Sequence, residues 1–235
     1  MTTTATEVRE EISYRLRLLG RSKDDTLRKG PRTAERIRWA ACELLETLSL
    51  DALTVQDICR EAGIAQGTLY QYFSSRNDLL ASVLNDFVAF LRQRMHGAVA
   101  DNESPGDSVD RSTRIYCELF CANRGLMKCL LNHFDTFPEA RSILSAFNKE
   151  WIDLVVRGMG RLRDVGTPST QEIRRRAYAL GGMVDQYLAA IFLYEDRDAM
   201  STAGSMDDIV KTLTFIWRQA FADVLGITGM DETAR

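Results

Sequence analysis

Gln66, Thr68 and Gln71 fall within six residues of one another, just past Gly63, and their side chains carry the donors and acceptors that read base edges. Glutamine suits the N6 and N7 atoms of adenine, and threonine suits a thymine methyl or a phosphate. Gly67 between them permits close approach to a backbone, and Ala65 completes the same helical turn. Tyr70 and Tyr72 add ring packing and phosphate contacts. Thr54 offers a hydroxyl or nearby backbone N–H groups to a phosphate, and Arg76 a guanidinium to neutralise one. Upstream, Arg28, Lys29 and Arg32, followed within a turn by Arg36, suit backbone phosphates or a minor groove, although basic residues also commonly solubilise a terminus. The chemistry these side chains share is contact with double-stranded DNA.

Other chemistries find little support. The chain has no GxSxG, HExxH, P-loop or dinucleotide fingerprint, so no enzyme activity and no cofactor are expected. Cys42, Cys59, Cys117, Cys121 and Cys129 form no CxxC and cannot all pair within the chain; buried free thiols are the expectation. Cys117 and Cys121, one turn apart with His133 nearby, are the one place where a metal or redox site is conceivable, and no metal site is assigned there. The net charge of -3 argues weakly against nucleic acid, but its distribution matters more. Residues 1–38 hold ten Lys/Arg against six Asp/Glu, and the remainder 20 against 27. No stretch approaches a membrane span or a signal peptide, and a cytoplasmic location is expected.

The elements that must position these residues are helices. Four prolines in 235 residues and apolar spacings of three and four predict an all-α fold. A short helix is expected over Val8–Leu19, ended by Gly20, then a polar basic stretch to Pro31. That segment reads as a helix beside the DNA-binding unit, a flexible arm or an exposed extension. Further helices are predicted over Thr33–Leu48, Val55–Ala62, with Thr54 and Asp57 spaced as a capping box, and Ala65–Tyr72. Ser75 and Asp78 repeat that spacing and open a longer helix to Met95. Gly63 between two compact helices makes a helix-turn-helix. Gly97–Asp110 reads as a linker; Ser112–Ala122, Gly125–His133, Pro138–Val165, Thr170–Tyr194 and Ser205–Leu225 read as helices. Ile58, Ala62, Ile64, Leu69, Phe73 and Leu79 are expected in the core.

Residues 36–84, RIRWAACELLETLSLDALTVQDICREAGIAQGTLYQYFSSRNDLLASVL, closely resemble the N-terminal module of the tetracycline-repressor (TetR) family. Members often have serine where this chain has Ala65, and lysine where it has Arg76. The resemblance implies a three-helix helix-turn-helix domain, placed at 32–80 after a basic extension of 1–31, and a helical ligand-binding and dimerisation domain at 81–235. It implies a homodimer, on a palindromic or near-palindromic operator, that is released by an apolar or amphipathic small molecule. The alternative is a DNA-binding regulator or architectural protein without such an effector. The expected ligand contacts are Phe120, Trp151, Tyr178 and Met183 for the apolar part, and Glu118, Asn148 and Gln186 for orientation, with Asn123 and Asp185 next. The last two long helices are the expected dimer seam, through Gly181, Gly182 and apolar neighbours such as Leu180, Leu188, Leu213 and Trp217.

Overall fold

The computed structural model describes residues 11–97, 105–132, 137–162 and 168–226, and these are helical with no strand among them. In chain order the helices are α1 Tyr14–Ser22, α2 Lys29–Leu45, α3 Val55–Ala62, α4 Gln66–Tyr70, α5 Arg76–Gly97 and α6 Pro105–Ala122. They continue with α7 Arg124–Asn132, α8 Pro138–Gly160, α9 Thr170–Phe192, α10 Arg197–Ala203, α11 Met206–Ala220 and α12 Ala222–Leu225. His133 and the expected break at Gly166–Thr167 lie outside the described residues.

Several expected boundaries move for physical reasons. Helix α1 starts at Tyr14 because the Ser13 side chain accepts from the Leu16 amide, and Gly20 lies inside it. Helix α2 opens at Lys29, four residues early, with Gly30 and Pro31 in its first turn. A proline is tolerated there because first-turn amides have no partner within the helix. The same tolerance lets α6 open on Pro105, inside the expected linker. The expected gap between the last two long helices contains α10, capped by the Asp196 side chain, which accepts from the Asp198 and Ala199 amides. The predicted last helix is interrupted at Phe221, with φ -122° and ψ 19°.

The chain divides into two compact units, Met1–Arg94 with Glu118–Ser145, and Met95–Cys117 with Ala146–Arg235. Residues 118–145 therefore group with the N-terminal segments. In the first unit, Ile37, Ala40, Leu53, Ile58, Leu69 and Leu79 are completely buried. Ala62 and Phe73 are buried as expected, while Ile64, in the turn after Gly63, is half-buried.

Two contacts explain why 118–145 belong to this unit. The Asn123 carboxamide accepts from the Tyr14 amide at 2.8 Å and donates to the carbonyls of Ile12 (2.8 Å) and Leu119 (2.7 Å). The buried Tyr14 ring lies 5.6 Å from both Phe87 and Phe90, and Arg21 pairs with the buried Glu35 at 2.9 Å. Over Tyr14–Ser22 the basic extension is thus a packed helix, not a loose arm. At Gly125 the backbone of α7 meets that of α2 so closely that an added Cβ would stand 2.5 Å from the Leu45 carbonyl oxygen.

In the second unit α6 is tied to α11 by Arg114–Asp207 (2.8 Å) and Arg218–Asp110 (2.7 Å). Arg176 of α9 donates to the Ala220 carbonyl and to Asp223, both at 2.9 Å. Leu180, Leu188, Leu213 and Trp217, expected at a dimer seam, are buried within the single chain. The residues that α9 exposes include the stripe Tyr178, Gly182 and Gln186, and those of α11 include Phe215.

Gly125→Ala must move one backbone against another, and urea unfolding of the variant is expected to show a loss of about 1–3 kcal/mol with an unchanged m-value.

Candidate DNA-reading surface and effector cavity

The reading head is built from short-range chemistry. The Thr54 hydroxyl accepts from the Asp57 amide at 3.1 Å and donates to its carboxylate at 2.6 Å, which starts α3 and holds the Asp57 carboxyl below its ordinary range. Helix α3 ends at Gly63, with φ 63° and ψ 43°, a left-handed position that glycine takes without penalty. Helix α4 follows with only Leu69 buried.

Ala65, Gln66, Gly67, Tyr70, Gln71 and Tyr72 are therefore exposed together, with Thr68 half-buried. Ala65, at the N-cap of α4, supplies no side-chain cap. Gly67 has open space where a side chain would stand. A Cβ on Gly30 would lie 3.8 Å from the Tyr72 hydroxyl, which puts the first turn of α2 beside the end of α4. Arg28, Lys29 and Arg36 are exposed, and Arg28 and Lys29 flank that contact. Two expected phosphate ligands have other partners. The half-buried Arg76 donates to the Leu53 carbonyl at 2.8 Å, bracing the start of α5 against the approach to α3, and Arg32 pairs with Asp25.

The second unit holds a cavity of about 690 Å³. Its apolar wall includes Val109, Phe147, Trp151, Val155, Val184 and Trp217. Asn148 and Trp151, two of the seven expected ligand contacts, line it. The other five are not among its lining residues. Tyr178 and Gln186 stand on the exposed stripe of α9, whereas Gly181, Val184 and Asp185 form its cavity side. At 100° per residue, Met183 turns roughly 200° from Gly181, and it is half-buried. Phe120 is fully buried, and it and Glu118 belong to the first unit. Asn123 anchors α1 instead.

The polar groups of the cavity that sequence reasoning ranked low or missed are Asp185, Tyr116, Ser112 and Thr113, with exposed His96, Arg157 and Arg161. The Tyr116 hydroxyl donates to Asp185 Oδ1 in a short hydrogen bond. Burial pushes the Asp185 carboxyl up to about 6, against that hydrogen bond, which lowers it. Burial and the adjacent Asp185 hold the Tyr116 phenol well above its ordinary range, so it remains a donor. A legible signal existed at this position, an acid inside the apolar run from Ala177 to Phe192.

The four buried cysteines and the half-buried Cys121 are free thiols, and no cluster of metal-ligating side chains occurs among the described residues. No helix there is long and apolar enough to cross a membrane.

Residues 37–83 match the family described as bacterial regulatory proteins, tetR family. The HTH-type transcriptional regulator YvdT of Bacillus subtilis (strain 168) is 37% identical over 67 residues, 27% of this chain and 34% of that protein. The HTH-type transcriptional regulator EthR of Mycolicibacterium smegmatis is 23% identical over 189 residues, 80% of this chain and 85% of the relative. The solved structure of the fatty acid degradation regulator FadR from Bacillus halodurans superposes with a TM-score of 0.64 at 17% identity, over 81% of this chain and 96% of that one, a likeness of fold.

The raised Asp185 has a consequence for stability. A carboxyl whose folded pKa lies above its unfolded value contributes stability that is complete at low pH and lost as pH rises through about 6. Asp185→Asn is therefore expected to unfold at nearly the same temperature as the unsubstituted protein at pH 4, and to be more stable by about 1–3 kcal/mol at pH 7.5. Thermal melts at the two pH values check this; equal differences at both would refute it.

Proposed function

Since this chain belongs to the tetR family of bacterial transcriptional regulators, we propose that it is a ligand-responsive repressor that binds its operator as a homodimer. Release comes from an apolar or amphipathic small molecule held in the cavity of the second unit. The observation that carries the effector reading is that cavity: about 690 Å³ of mainly apolar space with a few polar groups, within the size range of small-molecule sites. A DNA-binding or architectural protein without an effector needs no such space.

Gln66, Thr68 and Gln71 read bases in the major groove, while Thr54, Tyr70, Tyr72 and the basic residues Arg28, Lys29 and Arg36 meet phosphates. Arg76 acts by positioning. The exposed stripe Tyr178, Gly182 and Gln186, with Phe215, is the face offered to a second copy. A dimer on two successive major grooves needs its reading helices roughly 34–36 Å apart. Effector binding to a conformation with another spacing weakens operator binding, and operator binding weakens effector binding by the same factor.

A second reading takes an acyl ligand. It is favoured by the exposed Arg157 and Arg161 on the cavity lining, and by the likeness of fold to the regulator of fatty acid degradation from Bacillus halodurans.

Duplex binding at fixed salt to DNA upstream of the gene and in the adjoining divergent intergenic region tests the DNA reading; no sequence-specific binding to any such duplex counts against it. With the operator in hand, Gln66→Ala is expected to cost about 1–3 kcal/mol and relax specificity at one position, leaving the salt slope unchanged. Lys29→Ala is expected to weaken all duplexes alike and reduce that slope by about one. Gly181 lines the cavity with open space beyond it, so Gly181→Leu is expected to keep operator binding and lose release by effector. Release at the normal effector concentration would remove the cavity from the mechanism.

A further inference from the structure

We propose that the cavity selects a ligand carrying a protonated amine on an apolar body, with the Asp185 carboxylate as its counter-charge; this rests on the effector reading above. A buried carboxylate is expensive unless it is paired or multiply hydrogen-bonded. Asp185 has one hydrogen bond, from the Tyr116 hydroxyl to Oδ1, and no Lys, Arg or His pairs with it among the described residues. The fold ties up a comparable side chain elsewhere: the buried Glu35 has Arg21 at 2.9 Å.

The titratable groups on the cavity lining come from four helices and the residue just past one of them. They are His96 on α5, Tyr116 on α6, Arg157 on α8 with Arg161 just past its end, and Asp185 on α9. His96, Arg157 and Arg161 are exposed, so water screens them, whereas Asp185 is among the least hydrated charges of the cavity and acts through a lower dielectric. The interior charge therefore dominates discrimination between head groups. An ammonium next to Oδ2 supplies the counter-charge that the neutral Tyr116 hydroxyl on Oδ1 does not. A carboxylate would meet like charge, and an alcohol would leave the pair unmade. Trp151 and Trp217, which also line the cavity, supply flat apolar surface for the body of the ligand and, for a cation near them, favourable ring faces.

Three probes of one shape separate these cases: 4-phenylbutylamine, 4-phenylbutanol and 4-phenylbutyrate, titrated at pH 7.5 by calorimetry and by tryptophan fluorescence in a Trp39→Phe background, where Trp151 and Trp217 remain. The amine is expected to bind at least about tenfold more tightly than the alcohol and the carboxylate. In Asp185→Asn that preference should collapse to within about threefold, with alcohol binding retained as the control for an intact cavity. Equal or tighter binding of the alcohol or the carboxylate, no binding of the amine, or an amine preference that survives Asp185→Asn overturns the inference. The operator complex separates the two readings. Release by the alcohol or the carboxylate without amine binding leaves the effector reading standing and removes this one. An amine that binds as expected and releases no operator does the reverse.

Discussion

A helix of five residues makes too few internal hydrogen bonds to persist in water, because nucleation costs more than so short a run returns. The reading surface depends on such a helix, so its order is borrowed from its surroundings. Leu69 fastens α4 into the first unit, and the left-handed Gly63 fixes the angle at which the chain enters it. The Arg76 guanidinium, held on the Leu53 carbonyl, braces the chain on the far side. With one residue of the helix facing inward, nearly every other side chain is released to face outward. A longer helix with a full apolar stripe would be more stable and would offer fewer positions to a groove.

The second unit shows the opposite economy. Its helices enclose space and a carboxylate, both of which lower stability, since close packing and paired charges are what folds ordinarily favour. Binding sites are commonly built at such a cost to stability. The ion pairs of α6 with α11 and the Arg176 contacts of α9 with the chain around Phe221 hold the walls while the interior stays open. Tyr116 belongs to both tasks. It supplies cavity surface and donates to one oxygen of the Asp185 carboxylate.

The reading head was legible in the sequence because its signals are local. Thr54 with Asp57, Gly63, and Ser75 with Asp78 act over one turn, and each reappears as a cap or a left-handed residue; the Ser75 hydroxyl accepts from the Asp78 amide at 3.0 Å. Gly30 and Pro31 read as breakers and are not, because breakers are harmless in a first turn. The cavity was only partly legible. Helix α9 carries apolar and aromatic residues toward core, cavity and outside alike, so Tyr178 and Gln186 could not be separated from Gly181 and Asp185 by composition; a phase of 100° per residue decides it, and that phase needs the neighbours. Asn148 and Trp151 lie one turn apart on α8 and emerged together. The role of Asn123 was hidden because its partners lie 109 and 111 residues away.

The Asn123 clamp closes the first unit with a stretch of chain that follows an excursion into the second, residues 95–117. During synthesis α1 leaves the ribosome long before the carboxamide that accepts its Tyr14 amide, so the reading head is completed only after part of its companion unit has been made. The same interleaving bears on how such regulators are recombined. A single crossover placed after α5 would transfer the reading helix but leave its clamp behind, so exchanging a whole head requires three joins, one on each side of 95–117 and a third at the end of 118–145.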